Sequence, residues 1–156
     1  MRFIVIVALL IFEAEETTML NTNFSLQSIG FVQSSITSRS DAPRQGYEGA
    51  PDVWIEIEPA VQPALEGLAV GDDVILITWF HESKRNVLQV HPRGEISNPV
   101  TGVFATRSPD RPNPLGLHRV TIRQIQSNKL LVGPLEAIDG TPVVDIKPVL
   151  DQSADA

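Results

Sequence analysis

The chain has 156 residues, 42% hydrophobic and 20% charged, with a formal net charge of −7. That is the composition of one ordinary globular domain, and it excludes disordered and fibrous designs. Cysteine is absent, which removes disulfides, thiolate metal sites and a cysteine nucleophile, and His81, His91 and His118 fit no helical two-histidine metal motif, so no metal is expected. An acidic chain argues against a nucleic acid partner, but the charge is segregated. From His81 to Arg123, Lys84, Arg85, Arg93, Arg107, Arg111, Arg119 and Arg123 face only Glu82, Glu95 and Asp110, leaving this segment at +4 and the remainder at −11.

In chain order, "RFIVIVALLIF" is too short to span a bilayer and is followed by no small-x-small cleavage pattern. Residues 1–22 are therefore read as a dispensable extension with a more ordinary soluble start at Met19, rather than a secretion signal or anchor. The domain is placed at 23–150, with a tail at 151–156. "SLQSIGFVQSS" is a first strand candidate, and the polar stretch "SRSDAPRQGYEGAPD" a loop. "VWIEIEP" puts Val53, Ile55 and Ile57 on one face and Trp54, Glu56 and Glu58 on the other, the alternation of a half-buried antiparallel strand. "QPALEGLAVG" reads as a short helix with Pro63 in its first turn, ended near Gly71. "DVILITWFH" is apolar on both faces and is placed as a central strand with His81 at its exit. "NVLQV", "GVFAT", "HRVTIRQI", "KLLVG" and "PVVDIKP" are further strands, with a tight turn at Asp139-Gly140 before the last. About eight short strands and one short helix predict an all-β fold, a closed or nearly closed β-barrel of mostly antiparallel strands.

The segment "TRSPDRPNPLG" carries Pro109, Pro112 and Pro114, which fix their own φ and push Ser108, Arg111 and Asn113 toward extended backbone. Less entropy is then lost when Arg107 and Arg111 are held in fixed directions. Two readings of those arginines stand side by side: a preorganised fork for a carboxylate or phosphate, or a rigid connection whose arginines pair with nearby acids.

Taken together, "GVFATRSPDRPNPLGL", "DGTPVVDIKP", "APRQG" and "WFH" resemble the TrmO family of S-adenosylmethionine-dependent tRNA methyltransferases, also called YaeB-like or TsaA-like. The resemblance runs from about Ser25 to Leu150. It implies a β-barrel cofactor domain rather than a Rossmann sheet, and the chain indeed has no Gly-rich strand-to-helix turn. It further implies a cytoplasmic homodimer with S-adenosylmethionine bound near the interface, and methyl transfer to N6 of threonylcarbamoyladenosine at tRNA position 37. The cofactor contacts carried over by the resemblance are Pro43, Arg44, Gln45, His81, Glu82, Arg107, Leu117, Gly133, Pro134, Leu135 and Glu136. Within that set Arg44 or Arg107 suits the ligand carboxylate, Gly133 to Glu136 the sulfonium and ribose, and Leu117 with Leu135 the adenine. The catalytic base is left open among His81, Asp139 and Asp145.

Four residues depart from the family pattern. Glu82 stands where an amide is expected, Pro134 and Glu136 replace a small residue and an aspartate, and Asp110 replaces a bulky side chain. The chain also stops shortly after "IKPVL", whereas long bacterial members continue into a domain associated with tRNA recognition. Two other readings are therefore kept: a methyltransferase acting on a small molecule or another nucleic acid, and an S-adenosylmethionine-binding module without catalysis.

Overall fold

The computed structural model describes residues 25–150, so the extension read at 1–22 and the tail at 151–156 lie outside the described residues. The strands are β1 (Gly30–Gln33), β2 (Val53–Ile57), β3 (Asp73–Trp79), β4 (Gln89–Val90), β5 (Thr101–Gly102), β6 (Leu115–Gln126), β7 (Lys129–Gly133) and β8 (Pro142–Pro148). Each barrel strand has an apolar inner face that an open, single-layered sheet would leave in water. Six of them solve this by closing on themselves in the order β1-β2-β7-β6-β3-β8, while β4 and β5 pair as a separate ribbon. Every pairing is antiparallel, and closure leaves no barrel edge along most of the wall. The predicted all-β barrel is the observed fold.

Alternation fills the interior. Val53, Ile55 and Ile57 of β2 point inward, as do Val74 and Leu76 of β3, Val120 and Ile122 of β6, and Leu130 and Val132 of β7. Ile75, Ile77 and Trp79 take the outer face of β3 and are only half-buried, which explains a strand apolar on both sides.

Four expectations are corrected. The stretch read as a helix from Pro63 is a 3-10 segment over Pro59–Leu65 with Pro63 inside it. Its closures are of the i to i+3 kind, Val61 N–H to the Glu58 carbonyl and Glu66 N–H to the Pro63 carbonyl, and Pro63 has no N–H with which to continue an α-helix. "GVFAT" is strand only at Gly102, because Val103–Ala105 turns into a single 3-10 turn closed by Thr106 N–H on the Val103 carbonyl. "NVLQV" is strand only at Gln89–Val90, and "HRVTIRQI" extends back to Leu115, into the end of the proline-rich segment. The Asp139-Gly140 turn is present, closed by Thr141 N–H on the Ile138 carbonyl.

Three connections open at one rim, while the β2–β3 connection over residues 58–72 lies at the opposite end. The chain leaves β1 for residues 34–52, β3 for 80–114 and β7 for 134–141, and all three excursions start and end on the same end of the barrel. Among the described residues no helix is long and apolar enough to cross a membrane.

Leu76 is wholly buried at the centre of β3. Leu76→Ala is expected to lower the unfolding free energy by about 2–5 kcal/mol, whereas Val70→Ala, at a side chain 62% exposed, should shift it by no more than about 0.5 kcal/mol. Urea unfolding of both variants checks the pair.

Candidate functional site

The three rim excursions are stitched together by polar contacts of backbone and side chains. Between the first and third, Ser34 N–H donates to the Asp139 carboxylate at 2.9 Å, Asp139 N–H to the Ile36 carbonyl at 2.7 Å and Leu135 N–H to the Pro51 carbonyl at 3.0 Å. Between the first and second, Asp110 Oδ1 accepts from the Arg39 guanidinium at 3.0 Å and from Lys84 N–H at 2.9 Å. Partial burial of Asp110 alone would raise its carboxyl pKa, but the Arg39 and Lys84 hydrogen bonds outweigh it and the net direction is down. Arg93 on Glu48 at 2.7 Å and Arg44 on Glu95 at 3.5 Å lash the first excursion to the turn of the β4–β5 ribbon.

The proline-rich segment uses its arginines unequally, and Arg111 follows neither reading. Its Nε donates to the Ser108 carbonyl at 2.8 Å, and one terminal nitrogen to the Val103 and Thr106 carbonyls at 2.9 and 2.6 Å. The Val103 carbonyl already accepts Thr106 N–H, and the guanidinium adds to it while giving the Thr106 and Ser108 carbonyls a donor. Arg111 is thus the internal staple of the loop. Arg107 is exposed, with no acid within ion-pair distance among the described residues.

A cleft of about 380 Å³ opens in the barrel wall beside this rim, lined by Gln45, Gly46, Tyr47, Asp73, Leu117 to Thr121, Gly133, Pro134 and Glu136. Its origin is a mismatch of strand lengths. β7 meets β6 only from Thr121 onward, opposite Gly133, so Leu115 to Val120 have β3 on one side and no strand on the other. Ile122 exchanges hydrogen bonds with the Gly71–Asp72 backbone, and Phe80 N–H bonds the Pro114 carbonyl. Alternation then turns the peptide groups of Leu117 and Arg119 away from β3, onto the open edge facing the cleft. An unpaired strand edge offers fixed donors and acceptors to the rim of a planar heterocycle.

The buried end of the cleft holds a chain of three side chains. His118 points inward from β6 with its side chain 2% exposed. Nδ1 is 2.9 Å from Glu136 Oε1, and Nε2 is 2.9 Å from the hydroxyl of Thr78, itself fully buried on β3. A carboxylate only accepts, so Nδ1 carries the proton. Phe80 meets the imidazole edge-on at 5.7 Å. Gly116 makes room for this packing: a β-carbon there would lie 2.3 Å from Thr78 Oγ1 and 2.5 Å from His118 Nε2. On the other side, a β-carbon on Gly46 would lie 2.9 Å from the Pro134 carbonyl oxygen and 3.2 Å from Glu136 Oε2, so the first excursion sits directly on the third. Burial pulls the Glu136 carboxyl pKa up, the His118 hydrogen bond and charge pull it down, and the net direction is down. At the far end Asp73 is held low, first by the Thr121 hydroxyl and then by Arg119.

Of the residues expected at a binding site, Gln45, Leu117, Gly133, Pro134 and Glu136 line this cleft. Leu135 does not, being fully buried in the barrel core. Pro43, Arg44, His81, Glu82 and Arg107 lie on the surrounding loops outside the lining. Asp139 stitches two loops, and Asp145 pairs with Lys147 at 2.8 Å rather than with an arginine. Sequence reasoning passed over His118 and Thr78. The available signal was a histidine and a threonine at inward positions of strands whose other inward residues are aliphatic.

Residues 31–156 match the family model described as the tRNA-methyltransferase O N-terminal domain. A probable S-adenosyl-L-methionine-binding protein of Methanothermobacter thermautotrophicus is 40% identical over 130 residues, covering 83% of this chain and 93% of that one. Another, from Pyrococcus horikoshii, is 49% identical over 62% of this chain and 71% of its own length. The crystal structure of TrmO from Pseudomonas aeruginosa superimposes with a TM-score of 0.68 at 32% identity, over 86% of this chain and 61% of that chain.

Because the folded-state pKa of Glu136 lies below its ordinary 4.5, its stabilising contribution is complete above that value and is lost as pH falls through the lowered one. Glu136→Gln should therefore remove stability at pH 7 and flatten the acid limb of the stability profile below about pH 5. Denaturant titrations at stepped pH check it; parallel wild-type and variant curves would contradict the assignment.

Proposed function

The chain belongs to the family of the tRNA-methyltransferase O N-terminal domain, and from that membership we propose that it binds S-adenosylmethionine in the rim cleft and transfers its methyl group to N6 of threonylcarbamoyladenosine in tRNA. The observation that carries the reading is convergence. Gln45 from the first excursion, Leu117 from β6, and Gly133 with Pro134 and Glu136 from the end of β7 and the third excursion meet around one cleft, and all are positions the family resemblance implies for cofactor contact.

The chemistry of the lining suits the ligand. The open peptide edge of Leu117 and Arg119 supplies hydrogen bonds for an adenine, and Gly46 lets backbone approach where any side chain would collide. Glu136 brings an ionised carboxylate. When bound, the cofactor would supply an electrophilic methyl, its carbon–sulfur bond breaking with the electron pair going to sulfur as the carbon–nitrogen bond forms and N6 gives up its proton to water. The protein's part in such a displacement is alignment and the exclusion of water.

The nucleic acid substrate draws on a different face. Of the seven cations between His81 and Arg123, Arg93, Arg119 and Arg123 pair with acids and Arg111 is consumed by carbonyls. Lys84, Arg85 and Arg107 have no acid partner among the described residues. Arg85 stacks 4.9 Å over Trp79, and Phe104, in the same segment as Arg107, is 82% exposed. Cations without acid partners and an exposed ring suit phosphates and unstacked bases. The homodimer is part of the same proposal: Leu115 and Leu117, 41% and 51% exposed, with Ile77 opposite Leu117, leave an apolar strip on the outer wall for a second copy to cover.

The decisive experiment incubates the protein with methyl-labelled S-adenosylmethionine and tRNA carrying threonylcarbamoyladenosine. Label is expected in that nucleoside; its absence, with cofactor binding verified by calorimetry, would overturn the reaction. Three phosphate contacts also predict a log–log slope of tRNA affinity against salt of about −2 to −3. Arg107→Ala should make that slope shallower by about one and leave cofactor affinity intact; a loss of cofactor affinity would move Arg107 to the methyl donor instead.

A further inference from the structure

We propose that His118 is a positioning residue that fixes the Glu136 carboxylate as the counter-charge of the sulfonium, so that the cleft distinguishes the cationic methyl donor from the neutral thioether left after transfer. This rests on the cofactor reading given above.

Charge balance in the lining carries the argument. Asp73 and Arg119 face the cleft but neutralise each other at 2.8 Å, and Thr121 occupies the second Asp73 oxygen at 2.7 Å. Their field at a ligand is that of a saturated pair. Glu136 is different: its Oε1 is taken by the His118 ring, while Oε2 lies on the cleft side, next to Gly46. The ring donates from Nδ1 to one oxygen only, so the carboxylate is held in a fixed direction with its second oxygen turned to the cleft. A sulfonium supplies the matching positive charge, and the thioether product does not.

His118 can orient Glu136 firmly because it has no freedom of its own. Thr78 holds Nε2, Phe80 closes the ring edge, and Gly116 lies where any larger residue would displace the imidazole. Each strand that touches the ring is part of the closed barrel, so the carboxylate inherits the rigidity of the wall instead of the looseness of a rim loop. Loss of the positive charge on sulfur then removes an attraction that the donor alone enjoys, which favours departure of the product.

Side-chain isosteres separate this role from a merely structural one. An asparagine amide nitrogen stands near the place of imidazole Nδ1, and a glutamine amide nitrogen near that of Nε2. His118→Asn thus keeps the contact to Glu136, and His118→Gln keeps only the contact to Thr78. The affinities of S-adenosylmethionine and S-adenosylhomocysteine are measured by calorimetry on the full chain for wild type, both histidine variants and Glu136→Gln, with thermal melts confirming the fold. The ratio of donor to product affinity should fall by on the order of tenfold in Glu136→Gln and His118→Gln and recover in His118→Asn. Equal weakening of both ligands, or an unmoved ratio in Glu136→Gln, overturns the inference. An Asn variant no better than Gln overturns the part given to His118, and if the histidine variants fail to fold, Glu136→Gln decides alone. Wild-type protein that binds neither ligand would instead remove the cofactor reading on which the inference stands.

Discussion

The early end of β7 is the constraint on which the rest depends. A closed barrel pairs its strand edges around the whole wall, yet here β6 begins at Leu115 and gains β7 only at Thr121. The gap exposes a short run of peptide groups that would cost free energy if buried unpaired. It is tolerated because the run after Gly133 passes near enough to send Glu136 across to His118 and because the Gln45–Tyr47 turn covers it from outside. The cleft is therefore a controlled failure of closure, floored by the barrel core and walled by loops.

The same geometry explains why polar groups occur inside an otherwise aliphatic barrel. Burying an imidazole and a threonine hydroxyl is unfavourable unless both are satisfied. In the chain Thr78–His118–Glu136 every buried side-chain polar atom has a partner, and none is left unpaired among the described residues. A fully satisfied network is rigid, and rigidity beneath a cleft matters more for ligand selection than for stability.

Above the rim the structure depends on charge instead of packing. The loops hold together through Arg39–Asp110, Arg93–Glu48 and Arg44–Glu95, exposed pairs that individually contribute at most about 1 kcal/mol. Several lie between the same two excursions, so they act as a set and fix which loop faces which. Asp110, which departs from the family pattern, gains a definite task here: one carboxylate oxygen joins the first excursion to the second.

Alternation in "VWIEIEP" determined by itself that this segment is a strand, since a period of two can bury only one face, and the motif set determined the family. The three prolines determined that residues 109–114 are not helical, because ring closure fixes φ whatever the surroundings. Tertiary structure alone decided the rest. Arg111 and Arg107 are alike in sequence, but one is consumed by three carbonyls of its own loop and the other is exposed, a difference set by the path of the backbone between them. Leu135, an apolar neighbour of site residues, went to the core because the chain after Gly133 crosses the barrel end. His118 and Thr78 are 40 residues apart and carry no motif; only the register that sets β3 beside β6 brings them into contact, and register is a property of the whole closed barrel.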